Sequence, residues 1–202
     1  MNTVYIWIFR HGATAANLER RFLGITDEPI LQEEQERLKA VGARGYVKTD
    51  GGRAAFSKAE MPLYVSPMLR ARMSADALFP GRKQTVVPDF REMDFGVFEY
   101  KNHAELDGNP AYQAYIDSEG MLPFPGGESL EEFQERTCAA FLGLDLTSDS
   151  VIVAHGGTIM ALLDRFSRPH EGYFNWLVPN GGGYRVQWNK ERPEMTDMTA
   201  FW

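Results

Sequence analysis

Short apolar runs alternate with amphipathic stretches along this chain. The apolar runs are rich in β-branched and aromatic residues and end at polar or turn-forming ones, which predicts strands. The predicted strands are Thr3–Phe9, Pro62–Val65, Thr85–Val87, Val151–Ala154, Tyr173–Val178, Tyr184–Trp188 and Met198–Trp202. Apolar positions three or four residues apart predict helices over Leu31–Arg44, from Ser66 to about Phe79, from Ser129 onward and near Thr158–Phe166. Strands alternating with helices predict an α/β fold, a three-layer α/β/α sandwich with a mainly parallel central sheet.

Local signals mark two helix starts and one distinct segment. Ser66 followed by Pro67 predicts an N-cap with proline at the first helical position. Ser129 with Glu132 three residues later predicts a capping box. Residues 101–127 hold one or two helical pieces and a Pro/Gly-rich end, and we expect them to form a cap or insertion over one end of the sheet. No linker divides the chain, which predicts a single domain over residues 1–202.

Composition narrows the class of protein. The chain has 202 residues, with 21 Lys and Arg against 28 Asp and Glu, and a net charge of −7. This acidic balance argues against a general nucleic-acid binder and against a basic membrane-surface protein. The single cysteine, Cys138, excludes an intrachain disulfide and a multi-cysteine metal site. Because Arg10 and His11 end the first apolar run before a signal peptide would be complete, we expect a cytoplasmic protein.

The first candidate site residues lie where two predicted strands end in nearly the same sequence. One strand runs into Arg10-His11-Gly12, and another runs into His155-Gly156-Gly157. Ligands of open α/β sheets bind beyond the carboxyl ends of the strands, and glycine lets the backbone turn close to a ligand. Either histidine alone is more simply a structural residue at a strand end. Two of the four histidines in matching positions favour a functional site.

Two arginines and two carboxylates follow strands at the same predicted edge. Arg10 precedes His11, and Arg70 lies near the start of the helix after the second strand. Two guanidinium forks and two imidazoles can hold a tetrahedral dianion. Glu92 and Asp94 follow the third strand in an apolar loop, where desolvation would raise a carboxyl pKa and suit it to protonate a leaving oxygen. Taken singly, each of these charged residues is more simply a solvated one.

Together, five ordered segments resemble the histidine phosphatase superfamily, also called the phosphoglycerate mutase-like family. Residues 10–17 match its Arg-His-Gly-x-Thr-x-x-Asn signature, and residues 66–71 resemble its Ser-Pro-x-x-Arg-Ala segment. Residues 90–99 resemble its acidic loop, and residues 127–129 and 154–157 complete the set. The resemblance covers most of the chain and implies the phosphoglycerate mutase-like fold. One departure is Tyr100, which stands where many members have glycine.

The resemblance implies a role for each matched residue. His11 resembles the nucleophile that forms a phosphohistidine, and Glu92 the acid that protonates the leaving oxygen and then activates water. Arg10, Arg70 and His155 would hold the phosphoryl oxygens. The residues implied to contact the substrate are Thr14, Asn17 and Gly156. The resemblance implies no metal and no organic cofactor.

The branch of the family is indicated by what the chain lacks. The phosphoglycerate mutases carry an arginine pair after the acidic loop, whereas no Arg or Lys lies between Asn102 and Glu128. This favours a phosphomonoesterase acting on a small phosphate ester, similar to the small bacterial phosphatases, including the α-ribazole phosphatases. The alternatives are a phosphoglycerate mutase and a non-catalytic phospho-ligand binder on the same fold. The physiological substrate and the choice between monomer and homodimer stay open.

Aromatic residues in segment 101–127 have two possible roles. Tyr112, Tyr115, Met121 and Phe124 either pack in the core or form a pocket wall for an apolar or aromatic part of the substrate. If they form such a wall, bisphosphate substrates are disfavoured, because the segment brings no basic group to a second phosphate.

Overall fold

The structure, a computed structural model, describes residues 3–56 and 61–202. Its strands are β1 (Thr3–Arg10), β2 (Tyr46–Thr49), β3 (Gly52–Ala55), β4 (Leu63–Val65), β5 (Thr85–Val86), β6 (Ser150–Ala154), β7 (Gly183–Asn189) and β8 (Glu194–Phe201). Its α-helices are α1 (Ala15–Leu18), α2 (Gln32–Arg44), α3 (Leu69–Leu78), α4 (His103–Leu106), α5 (Pro110–Asp117), α6 (Leu130–Leu142) and α7 (Gly156–Phe166). Short 3-10 turns occupy Pro88–Phe90, Gly96–Phe98 and Tyr173–Trp176. Across these described ranges, no helix is both long and apolar enough to cross a membrane.

Six strands form the central sheet in the order β5-β4-β6-β1-β7-β8. The first four in this order are parallel to one another, and β7 and β8 are antiparallel additions, which confirms a mainly parallel sheet. The register of β1 against β6 pairs Arg10 with Ala154. The residues that follow this pair, His11 and His155, therefore leave the sheet side by side.

Side chains that alternate along the central strands pack into two separate hydrophobic cores, one on each face of the sheet. Ile6 and Ile8 of β1 pack with α6 and α7 on one face, in a cluster that includes Phe141 and Leu162. Trp7 and Phe9 point to the other face, where α2 and α3 cover them. Successive side chains of a strand point to opposite faces of the sheet, and here both faces are buried. Each face therefore needs a layer of helices, and the helices on both faces confirm the three-layer α/β/α arrangement.

Segment 101–127 contributes a third, smaller cluster. It contains α4 and α5, in agreement with the predicted helical pieces. Leu106, Tyr112 and Phe124 pack there against Phe98 of the acidic loop and Phe133 of α6. The segment is thereby attached beside α6, next to the loop that carries Glu92.

Three local expectations were wrong or incomplete. Tyr173–Val178 was predicted as a strand, but Tyr173–Trp176 is a 3-10 turn that packs against α7. The apolar residues of this run have another cause, since Trp176 and Val178 are buried in the core while Leu177 between them is exposed. The β2–β3 hairpin was missed, although Asp50-Gly51 at its turn is a recognised hairpin signal.

The start of α3 is also different from the prediction. Met68, not Ser66, is the N-cap residue, and the helix begins at Leu69. The Asp27 carboxylate accepts a hydrogen bond from the Leu69 N–H at 2.9 Å, so a distant loop supplies the cap. The Ser66 hydroxyl is instead paired with His155 at 2.7 Å. By contrast, the Ser129–Glu132 capping box at the start of α6 is confirmed.

Candidate active site

The two histidines predicted at strand ends lie side by side. The His11 N–H donates to the Ala154 carbonyl at 2.9 Å, which continues the β1–β6 ladder by one residue. The two imidazole ring centres are 5.2 Å apart, with the ring planes at 65°. Both side chains are buried. Strand register therefore creates the histidine pair that the sequence predicted.

His11 is held in a defined protonation state. Its Nδ1 lies 2.8 Å from the Gly12 carbonyl oxygen, which can only accept a hydrogen bond, so Nδ1 carries the proton. Burial, followed by the charges of Arg70 and Arg10, lowers the pKa of His11 well below 6.5. The ring is therefore neutral at physiological pH, and Nε2 keeps its lone pair. Such a nitrogen is suited to nucleophilic attack.

Arg70 is fully buried, which excludes the interpretation of it as a solvated surface charge. Its Nη atoms donate to the carbonyls of Leu23, Gly24 and Thr26 at 2.8 to 3.2 Å, and the Asp27 carboxylate lies 3.6 Å from Nη1. Burial lowers its pKa, and nearby carboxylates oppose that effect. The loop before α2 thus fixes the guanidinium in one orientation.

Three buried N atoms near this sheet edge have no acceptor or donor among the described residues: Nε of Arg10, Nε of Arg70 and Nδ1 of His155. Arg10 otherwise donates to the Val178 carbonyl at 2.6 Å. A Ser66 hydroxyl that donates to His155 Nε2 leaves the proton on Nδ1. All three atoms are then donors, and unpaired buried donors are costly. An oxyanion bound between them would supply the acceptors.

Glu92 lies against the start of α7. Its Oε1 accepts the Met93 N–H at 3.0 Å, and its Oε2 accepts the Gly157 N–H at 3.3 Å. Burial raises the pKa of this carboxyl, and the two backbone hydrogen bonds and Arg70 only partly oppose the rise. A carboxyl of this kind can hold a proton closer to neutral pH and donate it. Asp94 is placed differently, because its Oδ1 accepts the Gly96 N–H at 2.9 Å within the loop.

Arg136, on α6, holds the acidic loop in place and was missed by sequence reasoning. Its Nη1 donates to the carbonyls of Asp89 and Arg91 at 2.8 and 3.0 Å, and its Nη2 donates to the Glu92 carbonyl at 3.0 Å. Its Nε and Nη2 also bind the two carboxylate oxygens of Glu128 at 2.6 and 2.7 Å. The sequence feature that could have pointed to Arg136 is its partner Glu128, which lies eight residues earlier in one of the matched motifs.

The predicted substrate-contact residues divide into two groups. Thr14 is the N-cap of α1, and its side chain and that of Asn17 bond reciprocally to each other's backbone N–H. The Asn17 side-chain oxygen also accepts a hydrogen bond from Asn180 Nδ2 at 3.0 Å. Both residues therefore brace the turn after β1. The backbone of Gly156 packs against the Arg10 side chain, since a Cβ atom at position 156 would lie 3.4 Å from the Arg10 Nε.

A cavity of about 200 Å³ lies beside Arg10 and Glu92, the neighbours of His11 and of the start of α7. Arg10, Glu92 and Gly156 line it together with apolar residues, five of which are aromatic. Tyr115 and Phe124 of segment 101–127 line this cavity, while Tyr112 packs in the third core cluster and Met121 is exposed. Core packing is therefore confirmed for Tyr112 and Phe124, Met121 takes neither role, and a substrate-binding role for the cavity wall stays a prediction.

Tyr100 occupies a left-handed backbone conformation, with φ of +60°. This region suits glycine, the residue that many family members have there. The tyrosine ring lies under the Arg21 guanidinium at 5.3 Å, and its hydroxyl donates to Glu28 at 3.2 Å. Arg21 and Glu28 thus contact the side chain of the tyrosine that replaces the glycine of the family pattern.

Comparison with known proteins assigns the family. The model of the histidine phosphatase superfamily, branch 1, matches residues 6–200. The chain belongs to this superfamily. It is 28% identical over 185 residues to the adenosylcobalamin/alpha-ribazole phosphatase of Salmonella typhimurium, covering 87% of this chain and 86% of the relative. It is 29% identical over 170 residues to the Proteus mirabilis protein named "Probable phosphoglycerate mutase GpmB", covering 78% and 72%.

Solved structures of related proteins share the histidine phosphatase fold. A structure described as phosphoglycerate mutase from Thermus thermophilus is 30% identical, with a TM-score of 0.71, and the match covers 98% of this chain and all of that one. An Escherichia coli structure with 18% identity and a TM-score of 0.80 shows the likeness of fold alone. The relatives' names are those of phosphatases and mutases, so family membership makes this chain a phosphoryl-transfer enzyme. Among the described residues, no cluster of three or more His, Cys, Asp or Glu could hold a metal ion.

Proposed function

We propose that this chain is a metal-independent phosphomonoesterase that hydrolyses a small phosphorylated metabolite through a phosphohistidine on His11. The observation that carries the proposal is the neutral, buried His11 ring, whose Nδ1–H is bound to the Gly12 carbonyl and whose Nε2 is free to attack. The adjoining guanidinium groups of Arg70, which is fully buried, and Arg10, whose Nε is buried, supply positive charge for the phosphoryl oxygens.

In the first step, the Nε2 lone pair of His11 forms a bond to phosphorus while the bond from phosphorus to the ester oxygen breaks. Glu92 gives its proton to the departing oxygen, so the alcohol leaves neutral. The raised pKa of Glu92 supports this role, because the carboxyl must be protonated before the step. Arg10, Arg70 and the Nδ1–H of His155 stabilise the charge that spreads over the three phosphoryl oxygens.

In the second step, the Glu92 carboxylate takes a proton from water, and the water oxygen attacks the phosphohistidine. The bond from phosphorus to Nε2 breaks, phosphate is released, and His11 returns to its neutral form. Glu92 is protonated again and ready for the next cycle. The Gly12 carbonyl keeps the Nδ1 proton in place through both steps.

Hydrolysis is favoured over mutase chemistry by the charges around the cavity. A mutase must hold the carboxylate of phosphoglycerate as well as its phosphate. No Arg or Lys occurs between Asn102 and Glu128, and Arg10 and Glu92 are the charged residues that line the cavity. The resemblance to an alpha-ribazole phosphatase agrees with this choice, and the resemblance to a phosphoglycerate mutase keeps that activity as the alternative.

Single-turnover labelling tests the proposal. With a phosphate ester labelled at phosphorus, we expect an acid-labile phosphoenzyme that is absent in His11→Ala and present in His170→Ala, a variant of an exposed histidine. Undiminished hydrolysis in His11→Ala would overturn the proposal. Conversion of 3-phosphoglycerate to 2-phosphoglycerate would identify the mutase, and binding of phosphate esters without turnover would identify a non-catalytic binder.

The remaining parts of the proposal concern the whole molecule. Residues 1–202 act as one domain, in which segment 101–127 is the cap over the substrate. The substrate is a small molecule, because the net charge of −7 opposes polyanions such as nucleic acid at long range. The compartment is the cytoplasm, in keeping with a single cysteine.

A further inference from the structure

The cavity beside Arg10 and Glu92 has the size of an aromatic ring. Its volume is about 200 Å³. A dry apolar cavity of about 150 Å³ is large enough to bind benzene. The cavity can therefore hold one six-membered ring together with the one or two atoms that would join it to a phosphate.

Two aromatic walls enclose this space. On the cap side, the rings of Tyr115 and Phe124 lie 4.6 Å apart, and Phe95 meets Phe124 edge-on at 5.0 Å. A second wall comes from the 3-10 turn, where Tyr173 and Phe174 pack edge to face at 5.1 Å and both line the cavity. A ring bound in this cavity can meet these side chains in the offset or edge-to-face arrangements that aromatic pairs prefer.

Gly120 brings the two walls together. Its φ is +80°, and a Cβ atom there would lie 3.1 Å from the Tyr115 hydroxyl and 3.2 Å from the Phe174 ring. The cap backbone therefore closes on Phe174 at a point where a side chain would crowd both walls. The result is a slot whose lining includes Arg10 and Glu92.

Among the residues that the structure describes, the lining of the slot offers no second cation for another anion. Arg10 and Glu92 are its charged lining residues, and the proposed reaction uses both. Besides these, the Tyr173 side chain supplies a neutral hydroxyl, whose pKa burial raises well above 10.0. A carboxylate or second phosphate placed in the slot would lose its hydration without gaining a cation, which is unfavourable.

We infer that this slot is the leaving-group subsite and that it selects phosphomonoesters with an aromatic ring one or two bonds from the ester oxygen and no second anionic group. The inference rests on the proposed function, because the reacting phosphate must lie between His11 and Glu92 for the leaving group to enter the slot. The specificity-determining side chains are those of Tyr115, Phe124, Tyr173, Phe174 and Leu177.

Binding of unreactive phosphonates tests the subsite without turnover. We expect calorimetry to show that benzylphosphonate binds about tenfold or more tightly than methylphosphonate, because its ring is removed from water in the slot. Phosphonoacetate, which replaces the ring with a carboxylate, is expected to bind no better than methylphosphonate. Equal affinities for benzylphosphonate and methylphosphonate would overturn the inference.

Kinetics with two variants tests which residues form the subsite. Benzyl alcohol and methanol have similar acidity, so the ratio of kcat/KM for benzyl and methyl phosphate reports on binding. Phe174 is 56% exposed, and Phe174→Ala is expected to lower this ratio about five- to tenfold, chiefly through KM for benzyl phosphate. Trp202→Ala, at an aromatic residue 46% exposed at the chain end, serves as the matched control with an unchanged ratio.

A charge placed in the slot should reverse the selectivity. Leu177 lines the cavity and is largely exposed, so Leu177→Lys can be accommodated. It is expected to raise kcat/KM for phosphoglycolate and lower that for benzyl phosphate. An unchanged ratio of these two values in both Phe174→Ala and Leu177→Lys would overturn the assignment of this wall.

The two proposals fail in different ways. If no phosphate ester is hydrolysed but benzylphosphonate still binds more tightly than methylphosphonate, the phosphatase proposal is wrong and the aromatic subsite stands. If benzyl phosphate, methyl phosphate and phosphoglycolate are all hydrolysed through His11 with equal kcat/KM, the phosphatase proposal stands and the aromatic subsite is wrong.

Discussion

A methyl group at Gly157 should displace Glu92 without removing it. A Cβ atom on this second residue of α7 would overlap with Oε1 of Glu92 and would lie 3.0 Å from Cζ of Phe133. The φ of Gly157 is outside the left-handed region, so alanine adds no backbone strain there. Alanine also favours the helix over glycine by about 1 kcal/mol. Gly157→Ala therefore perturbs the position of the Glu92 carboxyl more than it perturbs the fold.

The size of the effect follows from the overlap. To return to ordinary contact at 3.4 Å, the Glu92 carboxyl oxygen must retreat by about 1 Å. The other close neighbour of the methyl group, Phe133, is fully buried and leaves it little room to move away from Glu92. A misplacement of about 1 Å in a catalytic group can cost about 100-fold in rate. We expect this loss in kcat/KM for alkyl phosphates, whose leaving oxygen needs a proton, and less than about threefold for para-nitrophenyl phosphate.

Steady-state kinetics on both esters measures this difference. Gly143→Ala, at the end of α6, is the matched control, since the nearest atoms to its Cβ would lie 3.4 and 3.6 Å away. The melting temperature of each variant shows whether the fold is intact. Glu92→Gln should reproduce the selective loss on alkyl phosphates, and the double variant Gly157→Ala with Glu92→Gln should lose no more than Glu92→Gln alone.

Two results would refute this reasoning. Equal losses on alkyl and aryl phosphates in Gly157→Ala would mean that the change damages phosphate binding rather than proton donation. Multiplied losses in the double variant would mean that Gly157 and Glu92 act independently, and Asp94 would then become the candidate acid.

Three further predictions concern pH and the support of the site. Burial raises the pKa of Glu92, so kcat/KM for alkyl phosphates should fall as pH rises through that pKa, and a pH profile of Glu92→Gln should lack this limb. The pKa of His11 is lowered in the folded state, so the unfolded chain binds its proton first and the free energy of unfolding should fall below about pH 6.5, by up to about 1.4 kcal/mol per pH unit. Denaturant titrations across pH should show a shallower decline in His11→Gln, and an unchanged slope would contradict the buried neutral ring. Arg136→Lys cannot reproduce the guanidinium fork, so it should lower kcat for alkyl phosphates about tenfold, while Arg185→Lys, at a surface ion pair, should not.

The placement of the candidate site could be predicted because it depends on local sequence. Strand runs ending at His11 and His155 imply that both residues leave the sheet at the carboxyl edge, whatever the packing around them. The Ser129 capping box was likewise predictable, since its hydrogen bonds join residues three positions apart. The sequence located the acidic loop. The residues alone could not decide whether Glu92 or Asp94 is the candidate acid.

Other features depend on partners far away in the chain and appear only in the tertiary structure. Arg70 is a buried site arginine because carbonyls some 45 residues earlier surround it. Arg136 serves the acidic loop because α6 packs beside it. The cap of α3 comes from Asp27, and the apolar run after Gly172 became one wall of a slot rather than a strand.

There is a physical reason why some features could be predicted from the sequence and others could not. Periodicity, capping and turn propensity act between neighbours in sequence, so the alternation of elements and the residues at their ends follow from the sequence by itself. Burial, pKa and cavity shape are sums over atoms from distant segments. The sequence therefore determined that His11 and His155 both leave an α/β sheet at its carboxyl edge, and the pairing of β1 with β6 brought them together. Only the packing of segment 101–127 against the turn at Tyr173–Trp176 decided the shape of the cavity beside Arg10 and Glu92.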